Sequence, residues 1–257
     1  MAAPKVEPKI YTAVVLDFET GGLNCVDCAC TQLAMQAVRL DNWTVLERYA
    51  KYIAPYRKLD IGGAPKRNVL KTRQALVQEE AGMSMKYEPV ALTYSAITMD
   101  MLYNQGVDLK EVAQDVIEFG KRNTLSKGQQ CKPILIGQNI TFDIGFLQQL
   151  IAYAGLMPEF EKVFAGKVDF YGNFQPHYVD TIDLGRFAFA HLPDVTSYKL
   201  EILSERLGIE LDDAHDAGAD VTATLNVAAV CSARLRQEGG GDICIEKKEK
   251  TRAHFKI

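Results

Sequence analysis

Residues 14–23 of the chain are Val14-Val15-Leu16-Asp17-Phe18-Glu19-Thr20-Gly21-Gly22-Leu23. This apolar run, which ends in two acids and two glycines, predicts a buried strand that continues into a turn. Side chains at positions i and i+2 of a strand point to the same face of a sheet. Asp17 and Glu19 can therefore reach one cation together.

A second acid follows another apolar segment. Residues 133–136 are Pro-Ile-Leu-Ile, and residues 137–143 are Gly-Gln-Asn-Ile-Thr-Phe-Asp. Asp143 precedes apolar residues at helical spacing, so we expect its side chain on the buried stripe of a helix. An unpaired charge is costly in that position, and Asp143 therefore needs a partner.

A third motif lies near the end of the chain, where residues 213–220 are Asp-Ala-His-Asp-Ala-Gly-Ala-Asp. Asp220 heads a second apolar stripe, which continues through Val227 and Ala228. His215 precedes Asp220 by five residues and lies near the expected start of this helix. Together the three motifs predict one metal site that is gathered from three parts of the chain.

These motifs resemble those of the DEDDh branch of the DnaQ-like 3′-to-5′ exonucleases, a family that includes bacterial proofreading subunits of the polymerase III epsilon type and RNase T. The resemblance is carried by residues 17–23, 139–143 and 215–220, in the family's order and spacing. Secondary matches lie at 96–98, 101–102, 179–181 and 198–200. The resemblance implies a ribonuclease H-like α/β fold, with a mixed central β-sheet, an initial antiparallel meander and flanking α-helices.

The resemblance also implies the chemistry. Two divalent cations about 3.5 to 4 Å apart can activate a water and stabilise the departing oxygen during phosphodiester hydrolysis. All-carboxylate ligation favours Mg²⁺ or Mn²⁺. Asp17, Glu19 and Asp220 are the expected direct ligands, and Asp143 is expected to bind directly or through water. His215 is the expected general base, because an imidazole pKa of about 6.5 suits proton transfer near neutral pH.

Residues around the motifs are expected to contact the terminal nucleotide: Phe18, Thr20, Gly21, Leu23, Asn139 and His215. Gly21 would allow a close approach of the backbone, and Leu23 would wedge against a base. Asn139 is expected to hold either the metal-site loop or a phosphate. Phe142 is assigned to the core and Asp180 to the N-cap of a helix.

Each of these residues has a simpler interpretation when it is taken singly. Acids at a strand end often only solvate a loop, an acid in a first helical turn complements the helix dipole, and a lone histidine is more often packed or capping. Cys25, Cys28 and Cys30 resemble a metal motif, but structural zinc commonly takes four ligands in two separated pairs, so packed or surface thiols are preferred. The joint occurrence of the three motifs favours the metal site.

The hydrophobic pattern predicts strands at 11–17, 32–40, 44–53, 133–137 and 178–180, and a helix at 142–154. Asp41 and Asn42 predict a tight turn between the second and third strands. Antiparallel strands that are followed by alternating strands and helices imply a mixed sheet. The acids are expected along the sheet edge where α/β proteins tend to bind ligands.

The expected domain organisation is an N-terminal extension at 1–9, an exonuclease domain at 10–238, and a glycine-rich joint with a charged tail at 239–257. Residues 56–90 depart most from the compact family pattern and predict an insertion. Long loops of this kind are often functional, so we interpret the insertion as a flap that guides the strand toward the metals.

Composition sets broader limits. The chain is 47% apolar and 24% charged, which is typical of a globular protein. Its formal net charge is −4, so binding of nucleic acid must depend on local basic clusters. The sequence has neither a membrane-spanning apolar run nor a signal peptide, and six irregularly placed cysteines predict no disulfide framework. We therefore expect a cytoplasmic protein without a membrane partner.

Three functions remain open from the sequence. The leading hypothesis is a metal-dependent 3′-to-5′ exonuclease acting on DNA ends. An exoribonuclease that trims RNA is the alternative, because the catalytic residues would be the same and sugar discrimination can depend on a few contacts. A non-catalytic nucleic-acid-binding module would be expected to lack a metal ligand, and none is missing. A DNA polymerase subunit and a second copy of the chain remain open as protein partners.

Overall fold

A computed structural model describes residues 8–59, 84–210 and 217–236 of the chain. Most of the predicted N-terminal extension, residues 60–83 of the predicted insertion, His215 and the C-terminal tail lie outside these ranges. All structural statements below concern the described residues.

The strands are β1 Thr12–Thr20, β2 Cys30–Arg39, β3 Val45–Tyr52, β4 Ile134–Gly137, β5 Gly166–Val168, β6 Phe174–Pro176 and β7 Tyr178–Asp180. The helices are α1 Pro89–Tyr94, α2 Met99–Gln105, α3 Leu109–Arg122, α4 Ile140–Ala154, α5 Met157–Val163, α6 Thr181–Phe189, α7 Leu200–Leu207 and α8 Ala217–Arg236. Five strands form a sheet in the order β3-β2-β1-β4-β7, and β5 pairs separately with β6. Strands β1 to β3 are antiparallel, whereas β4 and β7 run parallel to β1. The predicted mixed sheet with an initial meander is therefore present.

Strand β1 extends three residues beyond its predicted end at position 17. Its partner β2 continues alongside it, and Asp17 pairs with Ala34 while Glu19 pairs with Gln32. The ladder shifts only between Glu19 and Thr20. Both acids consequently lie inside a strand, where the alternation of side chains determines their direction.

The predicted turn at Asp41 and Asn42 joins β2 to β3, although the connection spans residues 40–44. The Asn42 side chain accepts a hydrogen bond from the Thr44 backbone N–H at 3.0 Å. Such local side-chain bonds are typical of turn residues. Trp43 adopts a φ of 61°, so the left-handed position of this turn falls one residue after the predicted pair.

The two faces of the sheet pack against different helices. Ala13 and Val15 of β1 belong to a cluster that also contains Val221 and Leu225 of α8. The alternate β1 residues, such as Leu16, belong to a larger core that includes residues of α3, α4 and α5. By the same alternation, Asp17 and Glu19 lie on the α8 face of the sheet.

Helix α8 is polarised along its length. Its first turn carries Asp220, whereas its last turn carries Arg234 and Arg236. This arrangement complements the helix dipole, which favours acids at the N-terminus and cations at the C-terminus. Neither α8 nor any other described helix is long and apolar enough to cross a membrane.

The two ends of the predicted insertion meet beside β1. Arg57 forms an antiparallel bridge with Ser84, and Cys28 forms a parallel bridge with Lys86. The backbone N–H of Glu88 donates to the carbonyl of Gly21 at 2.7 Å. The returning segment is therefore attached directly to the turn that follows the two strand acids.

Candidate active site

Three carboxylates converge where β1 meets the start of α8. One oxygen from each of Asp17, Glu19 and Asp220 lies within 4.8 Å of the others. All three residues are half-buried, so their oxygens remain reachable from solvent. A set made only of carboxylate oxygens fits a hard divalent cation such as Mg²⁺ or Mn²⁺ better than zinc.

Asp143 lies beside this cluster without belonging to it. It occupies the first turn of α4 and is only 3% exposed. Its Oδ1 accepts a hydrogen bond from the backbone N–H of Phe18 at 2.9 Å. Strand β4 pairs with β1 only as far as Val15. The N–H of Phe18 therefore lies beyond the part of β1 that is paired with β4. Asp143 therefore holds β1 in place between its two acids.

The surroundings of Asp143 disfavour its charge. Burial, and then the neighbouring carboxylates of Asp17 and Glu19, raise the pKa of Asp143 well above its usual range. The hydrogen bond from Phe18 lowers the pKa of Asp143, but by less than burial and the Asp17 carboxylate raise it. A cation held by the cluster would reverse this balance, because an opposite charge stabilises a carboxylate.

A cavity of about 850 Å³ opens in front of the cluster. Its floor includes Asp17, Glu19 and Asp220, and Asn139 stands at its rim. Its lining is completed by residues of α1, of α6 and of the segment that leads into α7. Ligand cavities of this size are typical of small-molecule and nucleotide sites.

The turn after β1 forms part of the cavity and also packs against the returning segment. Gly21 was expected to allow a close approach of the backbone to a nucleotide, and that contact stays a prediction. A Cβ at Gly21 would lie 2.5 Å from the backbone oxygen of Lys86. Gly21 therefore packs closely against the chain itself, and Gly22 lines the cavity. The Thr20 hydroxyl donates to the Gly22 carbonyl at 2.8 Å, which stabilises the turn. Leu23 projects from it with 85% of its surface exposed and lines the cavity.

The two phenylalanines near the motifs have different surroundings. Phe18 is 5% exposed and belongs to the main core, but it also lines the cavity. Its predicted contact with substrate stays a prediction. Phe142, which was assigned to the core, packs against that core with its ring centroid 5.0 Å from that of Phe146. It is only half-buried, however, and also lines the cavity.

Asn139 and Asp180 form a connection that the sequence did not predict. Asp180 is the N-cap of α6, as predicted, and accepts from the Ile182 N–H at 2.9 Å. The same Oδ1 also accepts from the backbone N–H of Asn139 at 3.1 Å. Asn139 adopts a left-handed conformation with φ 53° and ψ 40° at the start of α4. One carboxylate thus fixes the ends of β4 and β7 relative to each other.

Several cavity residues were missed as substrate contacts because they lie in weakly patterned segments. They include Val90 and Tyr94 of α1, Arg186 of α6, and Lys199 and Glu201 near the start of α7. Partial burial raises the pKa of Tyr94, and the carboxylates of Glu201, Asp220 and Glu19 raise it further. Tyr94 therefore stands close to the acidic cluster. The matches to the family at 96–98 and 198–200 adjoin α1 and α7 and were the available signal.

The cysteines after the first motif are packed thiols. Cys28 and Cys30 are buried, and Cys25 is half-buried. Burial raises the pKa of Cys30 to about 12, so this thiol stays protonated. Among the described residues, the acidic cluster is the one group of three or more ligand side chains placed to hold a metal.

His215 lies outside the described residues. The described part of α8 begins at Ala217, and Asp220 follows within its first turn. The role predicted for His215 as a base therefore stays a prediction.

Comparison with known proteins gives a family and a fold. The model of the protein family named RNase T, described as "Exonuclease", matches residues 76–228. This segment includes Asp143, His215 and Asp220, whereas Asp17 and Glu19 precede it.

Curated relatives include bacterial DNA polymerases. The chain is 28% identical over 213 residues to the DNA polymerase III PolC-type of Bacillus subtilis, a match that covers 83% of this chain and 11% of the polymerase. It is 21% identical over 225 residues to the DNA polymerase III PolC-type of Clostridium perfringens, over 88% of this chain and 11% of the polymerase. The chain thus spans about a tenth of the length of these relatives.

Solved structures with a similar fold include exonuclease I of E. coli. Its complex with a dT13 oligonucleotide matches with a TM-score of 0.61 and 20% identity, covering 88% of this chain and 42% of that chain. Its complex with a dA16 oligonucleotide matches with a TM-score of 0.59 and 20% identity, over 87% of this chain and 41% of that chain. The predicted ribonuclease H-like fold is thereby confirmed.

Proposed function

The chain belongs to the DnaQ-like exonuclease family, and from this membership we propose that it removes nucleotides from the 3′ ends of DNA with two divalent cations and a histidine base. Membership makes it a hydrolytic exonuclease. The observation that carries the finer proposal is the convergence of Asp17, Glu19 and Asp220 within 4.8 Å on the floor of a cavity. This convergence supports assignment to the DEDDh type, in which Asp143 and His215 would complete the set.

The donor set fits Mg²⁺ or Mn²⁺. Bound cations of this kind activate a water and stabilise the oxygen that departs from phosphorus. Asp17, Glu19 and Asp220 would hold them directly. Asp143 is buried behind the cluster and already accepts a hydrogen bond from Phe18. We therefore assign it two roles: it holds β1 in position, and it binds a cation directly or through water.

The chain's own residues supply the remaining steps. His215 would accept the proton of the attacking water, because it belongs to the third motif of the family and precedes Asp220 by five residues. The turn from Thr20 to Leu23 would support the terminal nucleotide, with Leu23 against a base. Such exposed apolar side chains lose accessible surface when a base packs on them.

Two groups of cavity residues would hold the strand end. Leu23, Val90 and Tyr94 present exposed apolar surface to the cavity. Arg186 and Lys199 also line the cavity and can contact phosphates. The Arg186 guanidinium lies 5.8 Å from the centre of the Tyr198 ring and 2.8 Å from the carboxylate of Asp183, which restricts its position. Apolar and basic side chains in one cavity suit a nucleotide.

DNA is the proposed substrate because the polymerases above are DNA polymerases, and the exonuclease I structures contain DNA oligonucleotides. RNA is retained as the alternative, since the described contacts do not select a sugar. A DNA polymerase is the proposed protein partner on the same grounds.

The test is hydrolysis of end-labelled oligonucleotides. Purified protein is incubated with single-stranded DNA, duplex DNA with paired or mispaired ends, and RNA, each in Mg²⁺, Mn²⁺ or chelator. We expect a ladder of products shortened from the 3′ end, metal dependence, and faster cleavage of DNA than RNA. Asp17→Asn should lower kcat by at least about 10³-fold, because it removes a cation ligand.

Asp108→Asn is the matched control. Asp108 is exposed and caps α3, and asparagine caps equally well, so activity should be unchanged. An Asp17→Asn protein with full activity would refute the metal site, and faster cleavage of RNA would favour the exoribonuclease.

A further inference from the structure

A second surface lies at the end of the sheet opposite the acidic cluster. Strands β5 and β6 form a hairpin whose turn is residues 169–173. The Ala165 N–H donates to Pro133 before β4, and the His177 N–H donates to Ala165 before β7. The hairpin is therefore joined to the starts of β4 and β7, whereas the acidic cluster follows their ends.

The tip of this hairpin carries two adjacent exposed aromatic side chains. Phe170 is 96% exposed and Tyr171 is 84% exposed. Their ring centroids are 5.5 Å apart with an interplanar angle of 85°. Neither ring contributes to a core, and clustered exposed apolar groups commonly mark interaction sites.

The turn that presents these rings is tightly organised. Asp169 Oδ1 accepts from the backbone N–H groups of Tyr171 and Asn173, each at 2.9 Å, and Oδ2 accepts from Gln175 at 3.1 Å. Gly172 provides a φ of +85°. Below the turn, Phe174 is buried with its ring centroid 5.5 Å from that of Phe160. A ligand would therefore meet rings that need little further ordering.

A basic cavity of about 780 Å³ adjoins the hairpin. Val168 of the hairpin lines it, as do Lys132, Lys162 and Lys167. Glu161 is the one acid among the described lining residues. The chain as a whole has a net charge of −4, so this excess of positive charge is a local feature.

We propose that the hairpin tip and the basic cavity bind single-stranded nucleic acid at a distance from the acidic cluster. Bases would stack on Phe170 and Tyr171, and phosphates would contact Lys162 and Lys167. Proteins that hold single strands combine exposed aromatic rings with a positive groove in this way. The proposal rests on the proposed function, because the strand is that of the substrate, and it adds a contact that only long strands can reach.

An acidic protein segment is the other ligand that the charge would suit. Nucleic acid is favoured because the rings project on a turn with their faces accessible to a flat base. The exposed Lys162 and Lys167 can also contact phosphates. Attachment at a second point would raise the affinity for long strands through effective concentration.

The experiment measures fluorescence anisotropy of labelled single-stranded DNA of about 4 and about 16 nucleotides, in chelator so that no strand is cut. Two double variants are compared with the wild type: Phe170→Ala with Tyr171→Ala, and Lys162→Glu with Lys167→Glu. The aromatic variant should weaken binding of the long strand by about 5- to 150-fold, since one stacked base is worth about 1 to 3 kcal/mol. The lysine variant should also weaken it, because it replaces phosphate contacts by repulsion. Binding of the short strand and kcat on it in Mg²⁺ should be unchanged.

The controls are matched in chemistry. Tyr103→Ala removes an aromatic that is 68% exposed on α2, and Lys110→Glu with Lys121→Glu reverses two charges on α3. Both should bind each strand as the wild type does. Hairpin variants that retain affinity for the long strand would overturn the proposal and leave the surface to a protein ligand. An equal loss of affinity for both strand lengths would also overturn the proposal, because the contact would not be specific to long strands. Absence of hydrolysis by the wild type would instead reject the proposed function.

Discussion

At the scale of single residues, the four acids differ in how the protein supports them. Asp17, Glu19 and Asp220 are half-buried with convergent oxygens, whereas Asp143 is 3% exposed and hydrogen-bonded to the backbone of β1. The motifs indicated all four, because strand and helix periodicity are local properties of the chain. The difference between Asp143 and the other three acids is one of burial, which cannot be read from the motifs.

Asp143→Asn should stabilise the metal-free protein. The raised pKa of Asp143 means that the folded state binds its proton more tightly than the unfolded state, so stability is lost as pH rises through the folded pKa. Asparagine keeps an oxygen to accept from Phe18 and carries no charge. In chelator near pH 7 the free energy of unfolding of the variant should be about 1 to 3 kcal/mol higher than that of the wild type, since this is the cost of a poorly compensated buried group.

The measurement is urea unfolding in chelator from about pH 5 to about pH 8, with the advantage of the variant growing as pH rises. In Mg²⁺ the same variant should lose activity. A variant less stable than the wild type throughout this range would contradict the assignment of Asp143 as a buried acid with a raised pKa.

At the scale of elements, the site is assembled at strand ends and helix starts. The predicted helix at 142–154 begins at Ile140, and its start is held by the bond from Asn139 to Asp180. The N-cap role of Asp180 follows from its local sequence. Its second bond joins residues 41 positions apart and depends on β4 and β7 lying side by side.

Asp180→Ala should therefore affect both stability and substrate binding. Loss of an N-cap and of a second hydrogen bond should cost about 1 to 3 kcal/mol. The freed Asn139 loop should raise KM more than it lowers kcat, because Asn139 stands at the rim of the cavity. Urea unfolding and steady-state kinetics measure the two effects.

Asp180→Asn is the matched control, since its oxygen can accept both hydrogen bonds. It should retain most of the stability and an almost unchanged KM. If the two variants behaved alike, charge rather than hydrogen bonding would be the contribution of Asp180.

At the scale of the whole molecule, the topology brings the start of the chain against α8. Order β3-β2-β1-β4-β7 places β1 in the centre, where α8 packs on one face and α4 on the other. Asp17 and Asp220 are far apart in sequence but share one site. A ligand that bridges them should therefore stabilise the entire domain.

Mg²⁺ at about 100 times its Kd should add about 2.7 kcal/mol to the stability of the folded protein. For a domain of this size the melting temperature should rise by about 5 to 10 °C. Differential scanning fluorimetry with Mg²⁺ and with chelator measures the shift.

Asp220→Asn should reduce this shift strongly, because it removes a ligand from the α8 side. His215→Asn should retain the shift while lowering kcat, which separates ligation from proton transfer. An undiminished shift in the Asp220→Asn protein would mean that the ion binds elsewhere.

The sequence by itself determined the acids, the strand and helix that carry each motif, and the class of sheet, because these depend on periodicity among neighbouring residues. Tertiary structure alone decided that Gly21 packs closely against the backbone of Lys86. It alone decided that Asp143 accepts a hydrogen bond from Phe18, across 125 positions of the chain. It also decided that the walls of the cavity come from α1, α6 and α7, and that two aromatic rings stand exposed at the opposite end of the sheet. The physical reason is that distances through space and exposure to solvent arise only when elements far apart in sequence pack together.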